Sequence, residues 1–340
     1  MPEPIALFAE ASAVPRRNAD DSAVRIGRMH PAAAAVLLGA GGIAMFAGAN
    51  LAEAAENLNR PAEVPVPRLS TAEMNAIVSG APAATETPVL LTISNSVGVS
   101  GKNISSDVTA VQQRLKDLGF DVKVDGKFGS GTARVIRMFE SMLNGKENIA
   151  ENSGRILPGS DVAKALASKD APRWVQMPKS GVGFLNEDTD GFGWGSSVTK
   201  AVITDAGARY QADWLATHPG SPPIGINDVS KKGGGITRDH ETHEAGLDID
   251  IRLPRKDGLT GARVSWKTYD RDATEAVVRA FASDPRVERV IIGDWTLMKR
   301  IQESDAGWKS KVVVWSDHKD HVHVDVAGAL SGPNTNPVVE

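Results

Sequence analysis

Between about residue 104 and residue 168, apolar side chains recur at the intervals of an α-helix. In the first stretch they lie three or four residues apart, at Val108, Val111, Leu115 and Leu118. This spacing predicts an amphipathic helix with one buried face. Ser106 or Asp107 is placed to cap its start, and Gly119 stands where a left-handed residue ends many helices.

A turn and two further helices complete this part of the chain. Asp125-Gly126 is a turn signal, and the next stretch again has apolar residues on one side. Those residues are Val135, Met138, Phe139 and Leu143. A third, short helix is expected to begin at Asp161. The pattern therefore predicts a small three-helix domain over residues 101–170.

Residues 171–330 mix helical and β-type patterns. Residues 201–218 and 272–283 have helical periodicity, whereas 287–293 and 312–315 are short runs rich in valine and isoleucine. Helices and strands that alternate in this way predict an α+β domain around an antiparallel or mixed sheet.

Two segments of this larger domain alternate strictly between apolar and polar residues. They are Leu247-Asp248-Ile249-Asp250-Ile251 and His321-Val322-His323-Val324-Asp325-Val326. Successive side chains of a strand point to opposite faces of the sheet. We therefore expect the apolar residues to share a buried face, and the aspartates and histidines to share the other face.

Histidines are concentrated at the same two places. Five of the seven lie in residues 240–243 and 318–323. His240 and His243 are three residues apart, which excludes the helical zinc motif with histidines four apart. If the two strands are adjacent, their imidazoles and carboxylates form a ligand set that suits Zn²⁺. The alternative is two half-exposed strands with solvated polar faces, and the clustering favours the metal site.

The N-terminal part of the chain has the pattern of an export signal. Residues 32–49 contain no charged residue and follow a region with several arginines. This pattern predicts a signal peptide, or an uncleaved anchor that holds the chain to a membrane, within residues 1–55. A buried alanine-rich helix is the alternative. Export predicts a periplasmic or secreted protein, with a proline-rich linker over residues 56–100 and a short tail over residues 331–340.

Composition narrows the class of function. The 340-residue chain has a formal net charge of −4 and no basic run, which gives no reason to expect a nucleic-acid partner. It contains no cysteine, which excludes disulfides, thiolate metal ligands and a cysteine nucleophile.

The three-helix region matches a known order of residues, in which a helix ending in Leu-Gly-Phe is followed by VDG-x-FG and a threonine. The matching positions are Val111, Gln112, Leu115, Leu118, Gly119, Phe120, Asp125, Gly126, Phe128, Gly129 and Thr132. This order resembles the peptidoglycan-binding domain 1 family. The resemblance implies an all-α three-helix module that binds cell-wall polymer. A packing module without a ligand is the alternative.

A second motif extends over most of residues 180–326. Its positions are His240, His243, Gly246, Asp248, Asp250, His318, His321 and His323. In this order they resemble the penicillin-insensitive murein endopeptidases, within the LAS group of zinc peptidases. The resemblance implies a LAS-type peptidase domain with a small central antiparallel sheet. It also implies one zinc ion per chain, ligated by His243, Asp250 and His323.

The same resemblance assigns roles to the remaining polar residues. His321 would be the general base or would stabilise the transition state, and His318 and His240 would transfer protons or bind the tetrahedral intermediate. Three aspartates are candidates to orient an imidazole, although a solvated carboxylate is an equal alternative for each. They are Asp248, Asp317 and Asp320.

The combined motifs predict a zinc-dependent peptidoglycan hydrolase. The resemblance points to the D-alanyl–diaminopimelate cross-link of murein as the bond cleaved. Because no acyl-serine intermediate is involved, β-lactams should not inhibit the reaction. The alternatives are a zinc D,D-carboxypeptidase or dipeptidase of the same group, and a non-catalytic cell-wall-binding protein.

Overall fold

The computed structural model describes residues 91–236, 240 and 242–330, which belong to one compact unit. The predicted export signal, most of the predicted linker and the predicted tail lie outside the described residues. None of the helices within the described ranges is long and apolar enough to cross a membrane.

The predicted first helix is present and buries the expected face. Helix α1 spans Ser105–Asp117, and its periodic valines and leucines are almost completely buried. Gly119 follows it with a φ of +92°, as expected. The capping prediction was wrong, because Ile104 precedes the helix and makes no side-chain cap. The Asp107 carboxylate instead accepts hydrogen bonds from the backbone of residues 94 and 95, which lie before the helix.

Residues 101–170 are not entirely helical, contrary to the prediction. Helices α2 (Ser130–Asn144) and α3 (Asp161–Ala167) join α1, but strand β1 (Val97–Gly98) also pairs antiparallel with β2 (Arg155–Ile156). Strands of two residues are too short to produce an alternating pattern in the sequence. Their pairing depends on long-range contact and could not be read from the sequence.

The larger domain contains a seven-stranded sheet in the order β10-β9-β11-β8-β7-β5-β4. Its strands are β4 (Ser180–Gly181), β5 (Phe184–Asn186), β7 (Ile224–Ile226), β8 (Asp248–Arg252), β9 (Val287–Ile292), β10 (Val312–Val314) and β11 (His321–Val326). A separate two-stranded sheet pairs β3 (Trp174–Gln176) with β6 (Trp194–Ser196). The domain is therefore mixed α+β.

The sheet is mixed, which is one of the two forms that the sequence pattern predicts, whereas the resemblance implied a small antiparallel sheet. Its central strands β8 and β11 are antiparallel, but β10 is parallel to β9 and β5 is parallel to β7. Both parallel pairs have a helix in their connection, as parallel pairing requires. Helix α4 (Ser197–Tyr210) lies between β5 and β7, and α6 (Trp295–Glu303) lies between β9 and β10.

One face of the sheet forms the core of the larger domain. The apolar residues of β8 and β11 join buried residues of α4 and of α5 (Arg271–Ala282) in one cluster. Apolar burial of this kind is the main favourable term in folding. The opposite face of β8 and β11 carries the aspartates and histidines, as the alternation predicts.

The helical module packs directly against the larger domain. The backbone N–H of Ile149 donates to the buried Glu244 carboxylate, at 2.9 Å. The N–H groups of Ala329 and Leu330, which follow the last strand, donate to carbonyls at the end of α2. Ala245 lies in the core of the helical module. The module therefore has a fixed contact surface on the larger domain.

Gly246 should tolerate no side chain. Its φ is +65°, and an added Cβ would lie 2.4 Å from the Cα of Gly195 and 2.8 Å from the Trp174 ring. Gly261 is the matched control, because its φ is +82° but an added Cβ would meet nothing within 4 Å.

We expect Gly261→Ala to lose roughly 1–2 kcal/mol of unfolding free energy through backbone strain alone. Gly246→Ala should lose a further 1–3 kcal/mol, approximately, because overpacking adds to the strain. Urea unfolding followed by tryptophan fluorescence measures both values. Equal losses in the two variants would show that the close contacts at Gly246 have no energetic effect.

Candidate metal centre

The two alternating strands lie side by side. Strand β11 pairs antiparallel with β8, so that His323 is opposite Asp250 and Asp325 is opposite Asp248. Residues opposite each other on one face of an antiparallel pair have neighbouring side chains. This register brings a histidine and three carboxylates together.

Asp250 is the residue that joins the three predicted ligands. Its Oδ1 atom lies 2.8 Å from His323 Nδ1 and 3.5 Å from His243 Nε2. The two imidazole rings have centroids 5.3 Å apart. All three side chains are buried, with at most 7% of any of them exposed. The structure thus brings His243, Asp250 and His323 to one point.

His243 is oriented by the loop that precedes β8. Its backbone is left-handed, with φ of +66°, and its N–H donates to Asp248 Oδ2 at 2.9 Å. Its Nδ1 atom lies 2.6 Å from the carbonyl oxygen of Val229. Because a carbonyl can only accept, Nδ1 carries a proton, and Nε2, directed at Asp250, is the nitrogen left for a metal ion. That is the tautomer a metal ligand needs.

His323 is held by carboxylates on both sides. Its Nε2 atom lies 2.8 Å from Asp325 Oδ1 and 3.6 Å from Asp248 Oδ1. Donation from Nε2 to Asp325 leaves Nδ1 directed at Asp250. Burial lowers the pKa of His323, but the neighbouring carboxylates of Asp248, Asp250 and Asp325 raise it more, to about 12. Burial likewise raises the pKa of Asp250, and the two imidazoles lower it well below its usual value.

The residues present suit a divalent cation. Three carboxylates are buried together, those of Asp248, Asp250 and Asp325, and Arg289 bonds the last of them. Metal ligation requires neutral imidazoles, and with both neutral the guanidinium offsets one of the three negative charges and leaves the cluster negative. Asp248 Oδ1 is buried without a hydrogen-bond partner. Buried negative charge is costly unless it is compensated, so a bound cation would stabilise this cluster.

The other three predicted histidines surround the same point. His321 Nε2 lies 3.9 Å from Asp250 Oδ1, and His240 Nδ1 lies 3.8 Å from Asp250 Oδ2. The His318 ring lies 4.7 Å from the His321 ring, centroid to centroid. Burial lowers the pKa of His318, against the raising effect of Asp317. Four histidines therefore lie within 3.9 Å of an Asp250 oxygen, and His318 lies beside His321.

Two of the predicted orienting aspartates each contact the histidine that follows them. Asp317 Oδ1 lies 2.9 Å from His318 Nδ1, and Asp320 Oδ1 lies 2.9 Å from His321 Nδ1. A carboxylate that accepts from Nδ1–H leaves Nε2 as the proton-accepting nitrogen. Both histidines are thus oriented with a basic nitrogen away from the aspartate.

These residues line a single cavity of about 750 Å³. Besides the six predicted site residues, its walls contain residues that the sequence patterns did not select. These include Glu147, Asp228, Arg252, Arg263, Trp266, Arg289 and Trp315.

Among those missed, Asp228 and Glu147 are the most informative. Asp228 Oδ2 lies 3.4 Å from His240 Nε2, although no periodic pattern surrounds Asp228 in the sequence. Glu147 comes from the helical module and bonds Arg289 at 2.8 Å. Burial first, and then the charges of Asp325 and Asp248, raise the pKa of Glu147 to about 7. Only the docking of the module on the larger domain brings Glu147 to the cavity.

A family match with known proteins lies in the helical module. Residues 105–146 match the family model "Putative peptidoglycan binding domain". No curated protein matches the chain. A peptidoglycan-binding domain is therefore present at these residues, which supports a cell-wall-associated protein with peptidoglycan as a partner.

One buried glutamine links three parts of the matched region by hydrogen bonds. Gln112 Oε1 accepts from the backbone N–H groups of Asp125 and Gly126. Its Nε2 donates to the Lys127 carbonyl and the Thr132 hydroxyl. These bonds connect α1 to the turn and to α2, which explains why glutamine, the Asp-Gly turn and threonine occur together.

We expect a divalent cation to stabilise the fold through Asp250. A ligand at 100 times its dissociation constant adds about 2.7 kcal/mol to the unfolding free energy. Added Zn²⁺ should therefore raise the melting temperature of the wild type. It should leave the melting temperature of the Asp250→Asn variant unchanged.

His218→Ala is the control for this measurement. His218 is exposed and stacks on Trp214 with centroids 3.6 Å apart, and it does not line the cavity. This variant should respond to Zn²⁺ like the wild type. A wild type that Zn²⁺ does not stabilise, or an Asp250→Asn variant that responds fully, would contradict the assignment of the cluster as a metal centre.

Proposed function

We propose that the chain is an exported zinc peptidase of the LAS type that cleaves the peptide cross-links of peptidoglycan. The convergence of His243, Asp250 and His323 in one cavity carries this proposal. The peptidoglycan-binding domain at residues 105–146 supports the choice of substrate. The bond we assign is the D-alanyl–diaminopimelate amide.

Zinc suits the ligand set better than other common metals. Two imidazoles and one carboxylate are the ligands that catalytic zinc sites use, with a further position left open. Magnesium and calcium prefer oxygen ligands. Bound at this site, zinc would supply Lewis acidity and activate water at neutral pH.

His321 is the best candidate to accept a proton. Asp320 holds its Nδ1 atom, so the free electron pair of Nε2 is on the side of Asp250. The ring is only partly buried, with 29% of the side chain exposed, and substrate can reach it. His318, kept neutral by burial, and His240, beside Asp228, are placed for later proton transfer or for holding an oxyanion.

The cavity walls offer contacts that a stem peptide would use. Arg252 and Arg263 line it and can pair with free carboxylates, which stem peptides carry. Trp266 and Trp315 also line it, and 47% and 44% of their surfaces remain exposed. Exposed aromatic surface in a cleft is available to pack against a ligand.

Two alternatives differ from the proposal in their products. A zinc D,D-carboxypeptidase or dipeptidase would free D-alanine or a dipeptide and leave cross-linked dimers intact. A non-catalytic wall-binding protein would bind sacculi and release nothing. The proposal also predicts insensitivity to β-lactams, because the mechanism has no acyl-serine intermediate.

The test is digestion of purified sacculi, followed by analysis of the muropeptides. We expect the wild type to convert cross-linked dimers to monomers, and a chelator to abolish this activity. His321→Ala should reduce the rate by 10²–10⁴-fold, approximately, because it removes the general base. Penicillin should leave the rate unchanged.

His218→Ala controls for general damage to the protein and should digest sacculi at the wild-type rate. Cleavage that persists in the chelator would exclude the zinc mechanism. Release of D-alanine with dimers left intact would favour the carboxypeptidase. Sacculi that are bound but not digested would favour the binding protein.

A further inference from the structure

A continuous series of polar contacts connects the helical module to the candidate metal centre. Glu147 Oε1, from the module, lies 2.8 Å from Arg289 Nη2 on β9. The Nε atom of Arg289 donates to Asp325 Oδ2 on β11. The other oxygen of Asp325, Oδ1, lies 2.8 Å from His323 Nε2. Three hydrogen bonds thus separate Glu147 from a predicted metal ligand.

The backbone on both sides of Glu147 is fixed on the larger domain. After it, the N–H of Ile149 donates to the buried Glu244, which is the residue next to His243. Before it, carbonyls at the end of α2 accept from Ala329 and Leu330. Glu147 is therefore held in place by the docking surface.

Arg289 contacts an aromatic ring as well as the two carboxylates. Its guanidinium lies over the Trp315 ring, 5.0 Å from the centroid. About a third of the Glu147 and Arg289 side chains is exposed, 33% and 32% respectively. The pair lies on the boundary between the main cavity and a smaller one of about 350 Å³, and lines both. A partly buried pair with a planar guanidinium is stronger and more directional than a pair on the open surface.

We propose that Glu147 is a positioning residue for the metal centre, supplied by the helical module just after the matched residues 105–146. It fixes the Arg289 guanidinium, which in turn fixes Asp325, and Asp325 orients His323 with Nδ1 towards the metal. The identity of the metal rests on the proposed function. The carboxylate partner of a metal-bound imidazole sets its tautomer and raises its basicity, and loss of such a partner weakens metal affinity.

The test measures metal affinity in the full chain. Glu147→Gln keeps the shape of the side chain and removes its charge. We expect its zinc dissociation constant, from competition with a chromogenic chelator, to rise about 10-fold. The visible spectrum of the Co²⁺ form should shift, because the imidazole donor changes.

Glu151→Gln is the matched control. Glu151 lies four residues after Glu147 and also lines the smaller cavity, but it is exposed and none of its described contacts is with Arg289. Its zinc affinity and Co²⁺ spectrum should equal those of the wild type. The melting temperature of each metal-free protein shows whether a variant is folded.

A double-mutant cycle decides whether Glu147 acts through Arg289. In an Arg289→Gln background, the further change Glu147→Gln should have no additional effect on zinc affinity. Equal effects of Glu147→Gln in both backgrounds would show that Glu147 acts by its charge alone and would overturn the proposal. Wild-type affinity and spectrum in Glu147→Gln would also overturn it. If Glu147→Gln fails to fold, Arg289→Lys, which replaces the planar guanidinium fork with a single ammonium group, should weaken zinc binding and must do so for the proposal to stand.

The outcomes also separate this proposal from the proposed function. A wild type that binds zinc but does not digest sacculi would overturn the proposed function and leave the positioning role intact. A wild type that binds neither Zn²⁺ nor Co²⁺ would overturn both. If the wild type binds zinc and digests sacculi, but the Glu147→Gln variant binds zinc with wild-type affinity, the positioning role alone would be overturned.

Discussion

The pairing of β11 with β8 is the constraint on which the site depends. A one-residue shift in register would move every aspartate and histidine of one strand to the opposite face, into the apolar core. Leu247, Ile249 and Ile251 are buried on that face, and they fix the register by hydrophobic burial. The energy that orders the polar cluster therefore comes from the apolar residues between its members.

The strands β8 and β11 and the helix α1 could be predicted because the pattern that determines each of them lies within the segment itself. Strict alternation identified both strands and the polar face of each, and the helical period located the buried face of α1. The resemblance implied which residues belong together, and His240, His321 and His323 do lie within 3.9 Å of Asp250. The only contact between distant segments that these inferences required was the pairing of β8 with β11.

What could not be predicted depends on distant contacts. The parallel strands β5 and β10 are three residues long, so they carry no clear period. Asp107 looked like a helix cap, but the backbone of a preceding loop competes for its carboxylate. Glu147 and Asp228 reach the cavity only through packing that no local pattern encodes. The missed site residues are those whose position is set by tertiary docking.

The fixed contact between the module and the larger domain affects how the protein would work on a polymer. Two domains joined by a flexible linker sample many separations, so the second site meets its target at an averaged effective concentration. Here the bond between Ile149 and Glu244 and the contacts of the last strand hold one separation and one orientation. Under the proposed function, a glycan strand held by the module would present its cross-links to the cavity at a constant spacing. The geometry of the polymer, rather than diffusion of the domains, would then select which bonds are reached.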